Sequence, residues 1–347
     1  MPGAQSPFQR LLGEVKPHVD LTLARVWEEA YAEHAGLGSA VAQPLAAARD
    51  LCLRGGKRLR AALVALGYRL GGGGEDWARV LPACCAVELL QAYFLIHDDW
   101  MDQDRSRRGG PAVHAALEAQ LGSAHLAASG AVLAGDYALG LATRMLAAGT
   151  WPAERMPRAL HRFAVMQLDA VVGQQLDVLG DGSNLDDVYR LKTGSYTVFG
   201  PLELGRVLGG GAGPDRALEA FAAPVGIAFQ LRDDLIGAFS DSASSGKPRG
   251  SDLRSGKRTL LLRLALQLAS PAGLAQISAV VGNAAADEGA LRNAIEAVDA
   301  SGARARVEER IAALTAEARA VLGGGAYDEQ SRALLEGVLS SLLDRVG

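Results

Sequence analysis

Residues 83–102 read ACCAVELLQAYFLIHDDWMD, and this stretch decides the fold class. Between positions 83 and 96 it is apolar nearly all round, with Glu88 and Gln91 as the polar exceptions. Such a segment is too short and too polar to span a membrane, and it is typical of a helix in the middle of a bundle. We therefore predict a buried central helix that ends in a run of aspartates.

Helical periodicity runs through much of the remaining sequence. Apolar positions in residues 307–321 are spaced by four and three, which is one stripe of a helix, and the pattern recurs over residues 334–346. Alternating strand patterns are hard to find. Glycine-rich breaks that predict helix–helix turns lie at residues 71–74, 209–214 and 323–325. We predict one all-α domain over residues 1–347, built as an antiparallel helical bundle.

The composition narrows the class of protein. The chain has 35 Lys and Arg residues against 39 Asp and Glu, a net charge of −4, which argues against a nucleic-acid binder. Three cysteines (Cys52, Cys84 and Cys85) without a metal-type spacing predict buried free thiols in a reducing compartment. Asp136 interrupts the best apolar run, residues 127–142, so we expect no membrane span and a cytoplasmic protein.

A first acidic cluster ends the predicted central helix. On a helix, Asp98 and Asp102 lie one turn apart on one face, and Asp99 lies beside them. Like charges at this spacing repel by roughly 0.2–0.5 kcal/mol per pair, and a hard divalent cation such as Mg²⁺ would relieve the repulsion. The alternative is an acidic helix end that only faces solvent.

A second acidic pair occurs in the segment FQLRDDLIG, where Asp233 and Asp234 close the apolar stretch 221–231. Asp233 follows Asp98 by 135 residues (233 − 98), so the two clusters belong to different helices. Gly237 stands where a third carboxylate would match the first cluster. Two such clusters would suit a polymetal site for a diphosphate.

Basic residues form short clusters outside these motifs. Lys57 and Arg60 are three positions apart, which on a helix places them on one face. Arg and Lys side chains are the usual partners of phosphate oxygens, although a single Lys more often serves only surface solubility. The other candidates are Arg107, Arg108 and Lys192, together with Lys247 and Lys257 in the polar segment 240–258, which we predict to be one long loop.

Taken together, these motifs resemble the trans-type isoprenyl diphosphate synthases, the short-chain polyprenyl synthetases. The resemblance covers residues 55 to about 259. Six motifs occur in the family's order: GGKRLR (55–60), ELLQAYFLIHDDWMDQDRSRRGGP (88–111), GQQLD (173–177), LKTG (191–194), FQLRDD (229–234) and GKPRGSDLRSGKRT (246–259).

The resemblance implies a fold and a reaction. The fold would be a helical bundle of the isoprenoid synthase type around a central cavity. An allylic diphosphate (dimethylallyl, geranyl or farnesyl) would ionise with the help of three Mg²⁺ ions held by the two aspartate-rich motifs. The double bond of isopentenyl diphosphate would attack the resulting cation, a proton would be lost, and the chain would grow by one C5 unit. Members of this family commonly form homodimers.

The resemblance also implies roles for single residues. The metal ligands would be Asp98, Asp99, Asp102, Asp233 and Asp234. Isopentenyl diphosphate would be bound by Lys57, Arg60, Gln91 and Arg108. The allylic diphosphate would be bound by Arg107, Lys192, Lys257 and Lys247. Dipoles facing the developing cation would come from the Lys192 carbonyl, Thr193 and Gln230. Two positions depart from the family pattern: Gln91, where many bacterial members have His, and Gly237, whose role Asp241 or Asp252 would share.

Product length is predicted from the turn of helix before the first acidic cluster. Tyr93 and Phe94 lie five and four residues before Asp98, about 6–7.5 Å along a helix. Their bulk favours farnesyl diphosphate (C15) as the product, and geranylgeranyl diphosphate (C20) is the alternative. More remote alternatives are a class I terpene cyclase, which typically lacks GGKRLR and RRGxP, and an inactive regulatory subunit, which usually loses an acidic motif.

Overall fold

The computed structural model describes residues 5–213, 215–240 and 249–343. Regular structure in these ranges is helical apart from one short antiparallel pair, β1 (Ser106–Arg107) and β2 (Gly110–Pro111), with Ser106 opposite Pro111. The predicted all-α fold is confirmed. Two residues named above, Asp241 and Lys247, lie outside the described residues.

The α-helices are long at the start of the chain and shorter towards its end. In chain order they are α1 (Pro7–His34), α2 (Ser39–Leu53), α3 (Leu59–Leu70), α4 (Leu81–Met101), α5 (Val113–Leu121), α6 (Ala124–Ala147), α7 (Met156–Leu179), α8 (Leu185–Val188), α9 (Gly200–Gly209), α10 (Arg216–Phe239), α11 (Ser251–Arg254), α12 (Leu260–Leu268), α13 (Pro271–Ser278), α14 (Glu288–Ala300), α15 (Ala303–Gly323) and α16 (Glu329–Leu343). A π-helix, Tyr189–Phe199, leads into α9, and 3₁₀ turns cover Ala35–Leu37 and Trp77–Val80.

The chain divides into two compact units, each assembled from separate stretches of sequence. Unit 1 comprises Met1–Leu168, Tyr196–Asp215 and Glu329–Gly337. Unit 2 comprises Asp169–Ser195, Arg216–Asp328 and Val338–Gly347. The acidic end of α4 belongs to unit 1 and the second acidic pair to unit 2. The assignment of residues 1–347 to a single domain stays a prediction.

Unit 1 is built around α4, as its sequence predicts. The helix begins with Pro82 in its first turn, where the missing N–H costs nothing, and residues 83–90 are all buried. α4 packs on α6, and α3 packs closely on α9. Glycines permit this second contact: a Cβ on Gly67 would collide with the Leu202 carbonyl, and one on Gly205 with the Val64 carbonyl.

Unit 2 packs α10 against α15. The predicted stripe of α15 is buried at Val307, Ile311, Leu314 and Ala318, whereas its last predicted member, Val321, is only half-buried. The next residue, Leu322, is buried instead. The α-helix period of 3.6 residues explains the difference, because a strict four-three spacing drifts around the helix over several turns.

The three predicted glycine-rich breaks coincide with helix ends, whereas the predicted long loop does not hold. α3 ends at Leu70, α9 at Gly209 and α15 at Gly323, each next to a predicted glycine-rich turn. The prediction of one long loop over residues 240–258 is wrong, because α11 (Ser251–Arg254) forms a helical turn within it.

The three cysteines are free and buried, as predicted. Burial raises the pKa of Cys85 to about 12, so the thiol stays protonated. Two helical segments, Trp77–Met101 and Ala124–Ala147, are long and apolar enough to cross a membrane by length and composition. The most apolar window of the first is 72% buried within the fold and that of the second 44%. The expected absence of a membrane span therefore stays a prediction.

Candidate active site

The first acidic cluster forms the C-terminal end of α4. Asp98 lies in the last turn, the helix ends at Met101, and the Asp102 N–H donates to the Asp98 carbonyl at 2.7 Å. Both side chains are half-buried, so they are neither fully solvated nor sealed in the core. The structure thus places these two carboxylates one turn apart at the edge of unit 1, as their spacing predicts.

Asp99 has a different environment from its two neighbours. Its side chain is fully buried and faces Arg107, whose Nε donates to Asp99 Oδ1 at 2.8 Å. Arg107 Nη2 also lies 3.4 Å from Asp104 Oδ2. Burial alone would lower the pKa of Arg107, but Asp99 outweighs burial and the pKa is raised. Asp99 therefore holds a guanidinium in place, and the metal binding expected of it stays a prediction.

The basic cluster of GGKRLR surrounds the start of α3. Lys57 is exposed and precedes the helix, which begins at Leu59. The expectation that Lys57 and Arg60 share one helix face is therefore wrong. Arg58 is the reason, because its backbone is left-handed (φ 52°, ψ 36°) and turns the chain before the helix starts. That conformation is uncommon for a residue with a Cβ.

Arg60 is buried in the first turn of α3. Its Nη2 donates to Thr197 Oγ1 at 2.6 Å, and its guanidinium lies 4.5 Å from the centroid of the Tyr196 ring. Its Nε is buried and has no hydrogen-bond partner among the described residues. A buried donor of this kind is available to an acceptor such as a phosphate oxygen.

Arg108 and Gln91 complete the set predicted for isopentenyl diphosphate. Arg108 also has a left-handed backbone, and its Nη1 donates to the Leu51 carbonyl at 3.4 Å. Burial lowers the pKa of Arg108. Gln91 is half-buried rather than buried, so its amide can reach solvent or a ligand.

An aromatic stack continues from Arg60 along α4. The rings of Tyr196 and Phe94 are 4.8 Å apart between centroids, and those of Phe94 and Tyr93 are 4.9 Å apart. Tyr93 also lies 4.6 Å from the ring of His97. Sequence reasoning named Tyr93 and Phe94 but missed Tyr196, which is distant in sequence and carries no motif of its own.

In unit 2 the two aspartates of the second motif differ in how far their side chains are exposed. Asp233 is exposed, whereas Asp234 is buried and accepts hydrogen bonds from Tyr189 Oη at 3.0 Å and Gln230 Nε2 at 2.8 Å. Burial raises the pKa of Asp234 to about 7. The pair follows the apolar stretch 221–231, but it does not end the helix, because α10 continues to Phe239.

Lys192 and Thr193 lie in the π-helix, a rare geometry that is often found at functional sites. Lys192 Nζ forms an ion pair with Asp177, and Thr193 Oγ1 donates to Gln230 Oε1 at 2.6 Å. A Cβ on Gly173 would collide with the Lys192 backbone, which explains the glycine of GQQLD. Sequence reasoning gave Asp177 no role, although it noted the motif.

Asp252 lies beside Gly237, the position at which a third carboxylate would match the first acidic cluster. A Cβ added to Gly237 would collide with Asp252 Oδ2, so the Asp252 carboxylate already fills that space. Lys257 Nζ lies 3.9 Å from the other Asp252 oxygen. Unit 2 thus carries a half-buried carboxylate at this place, on α11 instead of α10.

The carboxylates of the two acidic motifs suit the way in which proteins usually bind Mg²⁺. Among the described residues, no group of three or more His, Cys, Asp or Glu side chains forms a closed metal site. Mg²⁺ does not require one, because it is usually bound by one or two carboxylates plus the phosphates of a substrate. Asp98 and Asp102 in unit 1 fit that pattern, and so does Asp233 in unit 2, each unit taken by itself.

The sequence model of the polyprenyl synthetase family matches residues 43–298. The chain belongs to this family. It is 33% identical over 311 residues to the geranylfarnesyl diphosphate synthase of Aeropyrum pernix, which covers 86% of this chain and 93% of that protein. It is 34% identical over 282 residues to the farnesyl diphosphate synthase of Geobacillus stearothermophilus, covering 76% and 86% of the two chains.

A solved structure of a family member has the same fold. The geranylgeranyl pyrophosphate synthase of Corynebacterium glutamicum, complexed with isoprenyl diphosphate and magnesium, aligns with a TM-score of 0.87 and 35% identity. The alignment covers 94% of this chain and 98% of that one. Polyprenyl synthetases use Mg²⁺, and membership makes this chain a prenyltransferase of isoprenoid biosynthesis. The relatives differ in the products that their names state.

Proposed function

We propose that this chain condenses an allylic diphosphate with isopentenyl diphosphate and releases farnesyl diphosphate. One observation carries the proposal: unit 1 holds both an acidic helix end, at Asp98 and Asp102, and a separate basic cluster around the start of α3. A metal-bound diphosphate needs the acidic helix end, and a second diphosphate needs the basic cluster. A class I terpene cyclase has no second diphosphate to bind.

The residues would act as follows. Asp98, Asp102 and Asp233 would bind Mg²⁺ through their accessible carboxylates, and Asp252 would take the place of the third carboxylate at position 237. Magnesium bound to diphosphate oxygens supplies Lewis-acid stabilisation of the leaving group. Asp99 and Asp234 are buried and would instead hold Arg107 and Gln230 in position.

Four cationic residues would bind the diphosphate that leaves. Lys192 and Lys257 form ion pairs with Asp177 and Asp252, and a diphosphate would compete for both ammonium groups. Arg107 is held by Asp99 with its side chain 20% exposed. Lys247 has the same proposed role, although it lies outside the described residues.

The bond changes follow from the two substrates. The C–O bond of the allylic diphosphate breaks, and the diphosphate leaves with the electron pair. The double bond of isopentenyl diphosphate then attacks the allylic cation, and loss of one proton restores a double bond. The Lys192 carbonyl, Thr193 and Gln230 would orient their dipoles towards the positive charge.

The aromatic pair of α4 supports a short product. Tyr93 and Phe94 are buried one turn or more before Asp98 on one continuous helix. A prenyl tail that extends from the metal-binding end along α4 would meet these rings after two or three isoprene units. Geranylgeranyl diphosphate is the second candidate, since the rings could rotate and the structural relative in Corynebacterium glutamicum bears that name.

Two further properties belong to the proposal. The enzyme would be a cytoplasmic homodimer, and exposed leucines of α6 such as Leu133, which is 66% exposed, support association. Replacing Asp98 or Asp233 by Ala would test the reaction: turnover should fall by about a thousandfold or more while the helical circular dichroism is retained. Undiminished turnover in excess chelator would contradict it.

A further inference from the structure

The buried pair of Arg58 and Glu88 has no role in the scheme above. Each residue is only 3% exposed. The Arg58 guanidinium uses all three nitrogens: Nη1 donates to Glu88 Oε2 at 3.2 Å, Nε to Asp20 Oδ1 at 2.7 Å, and Nη2 to the Cys52 carbonyl at 3.0 Å. This fully engaged side chain lies between two residues of the substrate-binding cluster, Lys57 and Arg60.

The pair also determines the backbone at this point. Arg58 occupies the left-handed region, which is unfavourable for a residue with a Cβ, so the surrounding contacts must hold it there. The second oxygen of Glu88 accepts the Ala61 N–H at 3.3 Å, in the first turn of α3. One carboxylate therefore binds both the turn and the helix that follows it.

Glu88 also brings a negative charge close to the arginine side chains of this cluster. It faces Arg58 directly and raises the pKa of Arg108, which Arg58 and Arg60 lower. A Cβ on Gly56 would lie 3.4 Å from Arg108 Nη2, so Arg108 lies beside the residue that precedes Lys57. The charge of Glu88 thus offsets part of the repulsion among the guanidinium groups of Arg58, Arg60 and Arg108.

Stability alone does not account for such a pair. A buried ion pair rarely stabilises a fold more than apolar side chains of similar size would, because both charges lose their hydration. What the pair does provide is a defined geometry. The Arg58 side chain is buried, its backbone is left-handed, and Lys57 and Arg60 lie on its two sides in the chain.

We propose that Arg58 and Glu88 are positioning residues for isopentenyl diphosphate, which they bind indirectly by fixing Lys57 and Arg60. The proposal rests on the prenyltransferase function proposed above. It predicts an effect confined to one of the two substrates, because Arg58 and Glu88 belong to unit 1, whereas Lys192 and Lys257 belong to unit 2.

The main test uses the double variant Arg58→Met/Glu88→Gln. It removes both buried charges together, while the new amide oxygen can still accept the Ala61 N–H. We expect KM for isopentenyl diphosphate to rise by about tenfold or more, with KM for dimethylallyl diphosphate and kcat changed less than about threefold. A smaller rise, or an equal rise for both substrates, would overturn the proposal.

A matched control comes from another buried ion pair of unit 1. Arg206 donates to Glu203 at 2.6 and 2.7 Å within α9, outside the proposed site. Glu203→Gln should lower the unfolding midpoint without changing either KM. A rise in KM for isopentenyl diphosphate in this control would show that any buried defect has the same effect, and would also overturn the proposal.

Two further measurements keep the outcomes separate. If the double variant does not fold, Arg58→Lys takes its place, since the ammonium keeps the charge opposite Glu88 but loses the fork to Asp20 and Cys52; the same selective rise is expected. Wild-type protein that forms no condensation product would refute the proposed function itself. Active wild type with an unaltered variant would refute only the role of Arg58 and Glu88.

Discussion

The carboxylate of Asp252 occupies the space beside Gly237 that any side chain at position 237 would need. The two residues belong to different helices, α10 and α11, and the N–H of Gly250, just before α11, donates to the Gly237 carbonyl at 3.3 Å. A carboxylate from a neighbouring segment therefore lies beside the position where the second aspartate motif lacks its third carboxylate. Glycine at position 237 is what allows Asp252 to approach.

Gly237→Ala tests whether Asp252 takes the place of that carboxylate. The new methyl group would displace Asp252, so we expect the Mg²⁺ concentration for half-maximal activity to rise by about tenfold. Alanine is otherwise favoured over glycine inside a helix, so stability should not fall for conformational reasons. Gly13→Ala in α1, where a Cβ meets nothing within 4 Å, is the matched control. Identical Mg²⁺ titrations of both variants would contradict the account.

Variants of the two basic groups, Lys57 with Arg60 and Lys192 with Lys257, should affect KM for different substrates. Lys57→Ala and Arg60→Ala should each raise KM for isopentenyl diphosphate more than KM for the allylic substrate, since each loses a charge-assisted contact of about 1.5–3 kcal/mol. Lys192→Ala and Lys257→Ala should show the opposite bias. Steady-state kinetics with each substrate varied in turn measures the ratio, and equal effects would refute the assignment.

Product length should depend on the aromatic stack of α4. Tyr93→Ala/Phe94→Ala removes two buried rings, and the products should lengthen by at least one C5 unit. Tyr196→Ala should act in the same direction, because its ring packs on Phe94. Tyr137→Ala removes an aromatic ring of unit 1 that stacks on Trp27 instead, and should leave the length unchanged. Chromatography of the dephosphorylated products decides; wild-type length in the double variant would exclude these rings as the limit.

Acid stability should depend on Asp20. Burial raises the pKa of this carboxyl, but hydrogen bonds from Lys16 and Arg58 outweigh burial, and the pKa is lowered. A lowered pKa means that Asp20 stabilises the fold above its unfolded value of about 3.9, and that this contribution is lost as pH falls through the folded value. Asp20→Asn should therefore flatten the fall in unfolding free energy below about pH 5.

The control for that titration is an exposed ion pair. Asp76 contacts Arg79 at 3.2 Å with both side chains mostly exposed. Asp76→Asn should leave the pH profile of the unfolding free energy close to that of wild type, since exposed pairs contribute little. An Asp20→Asn profile that overlaid this control would show that Asp20 has no such role.

Local patterns made much of this account predictable from sequence. The period of apolar residues in α4 and α15 is a property of each helix alone, and so is the one-turn spacing of Asp98 and Asp102. The family follows from six motifs whose order is visible in the sequence. None of these inferences needs knowledge of which segments meet in the fold.

Contacts between distant residues could not be predicted in that way. Nothing in the sequence distinguishes the exposed Asp233 from the buried Asp234. Tyr189 and Gln230, which donate hydrogen bonds to Asp234, are distant in sequence or carry no signal of that role. The left-handed backbone of Arg58 separates Lys57 from α3, and the Arg58 side chain donates to Glu88, thirty residues away. Tyr196 joins the aromatic stack through packing, without a motif.

The central claim is tested most directly by incubating the purified protein with Mg²⁺, dimethylallyl diphosphate and isopentenyl diphosphate, and separating the products by chain length. The account predicts farnesyl diphosphate as the main product, formed only when both substrates and Mg²⁺ are present. A product formed from an allylic diphosphate alone would indicate a terpene cyclase. No elongated product under any of these conditions would contradict the proposed function.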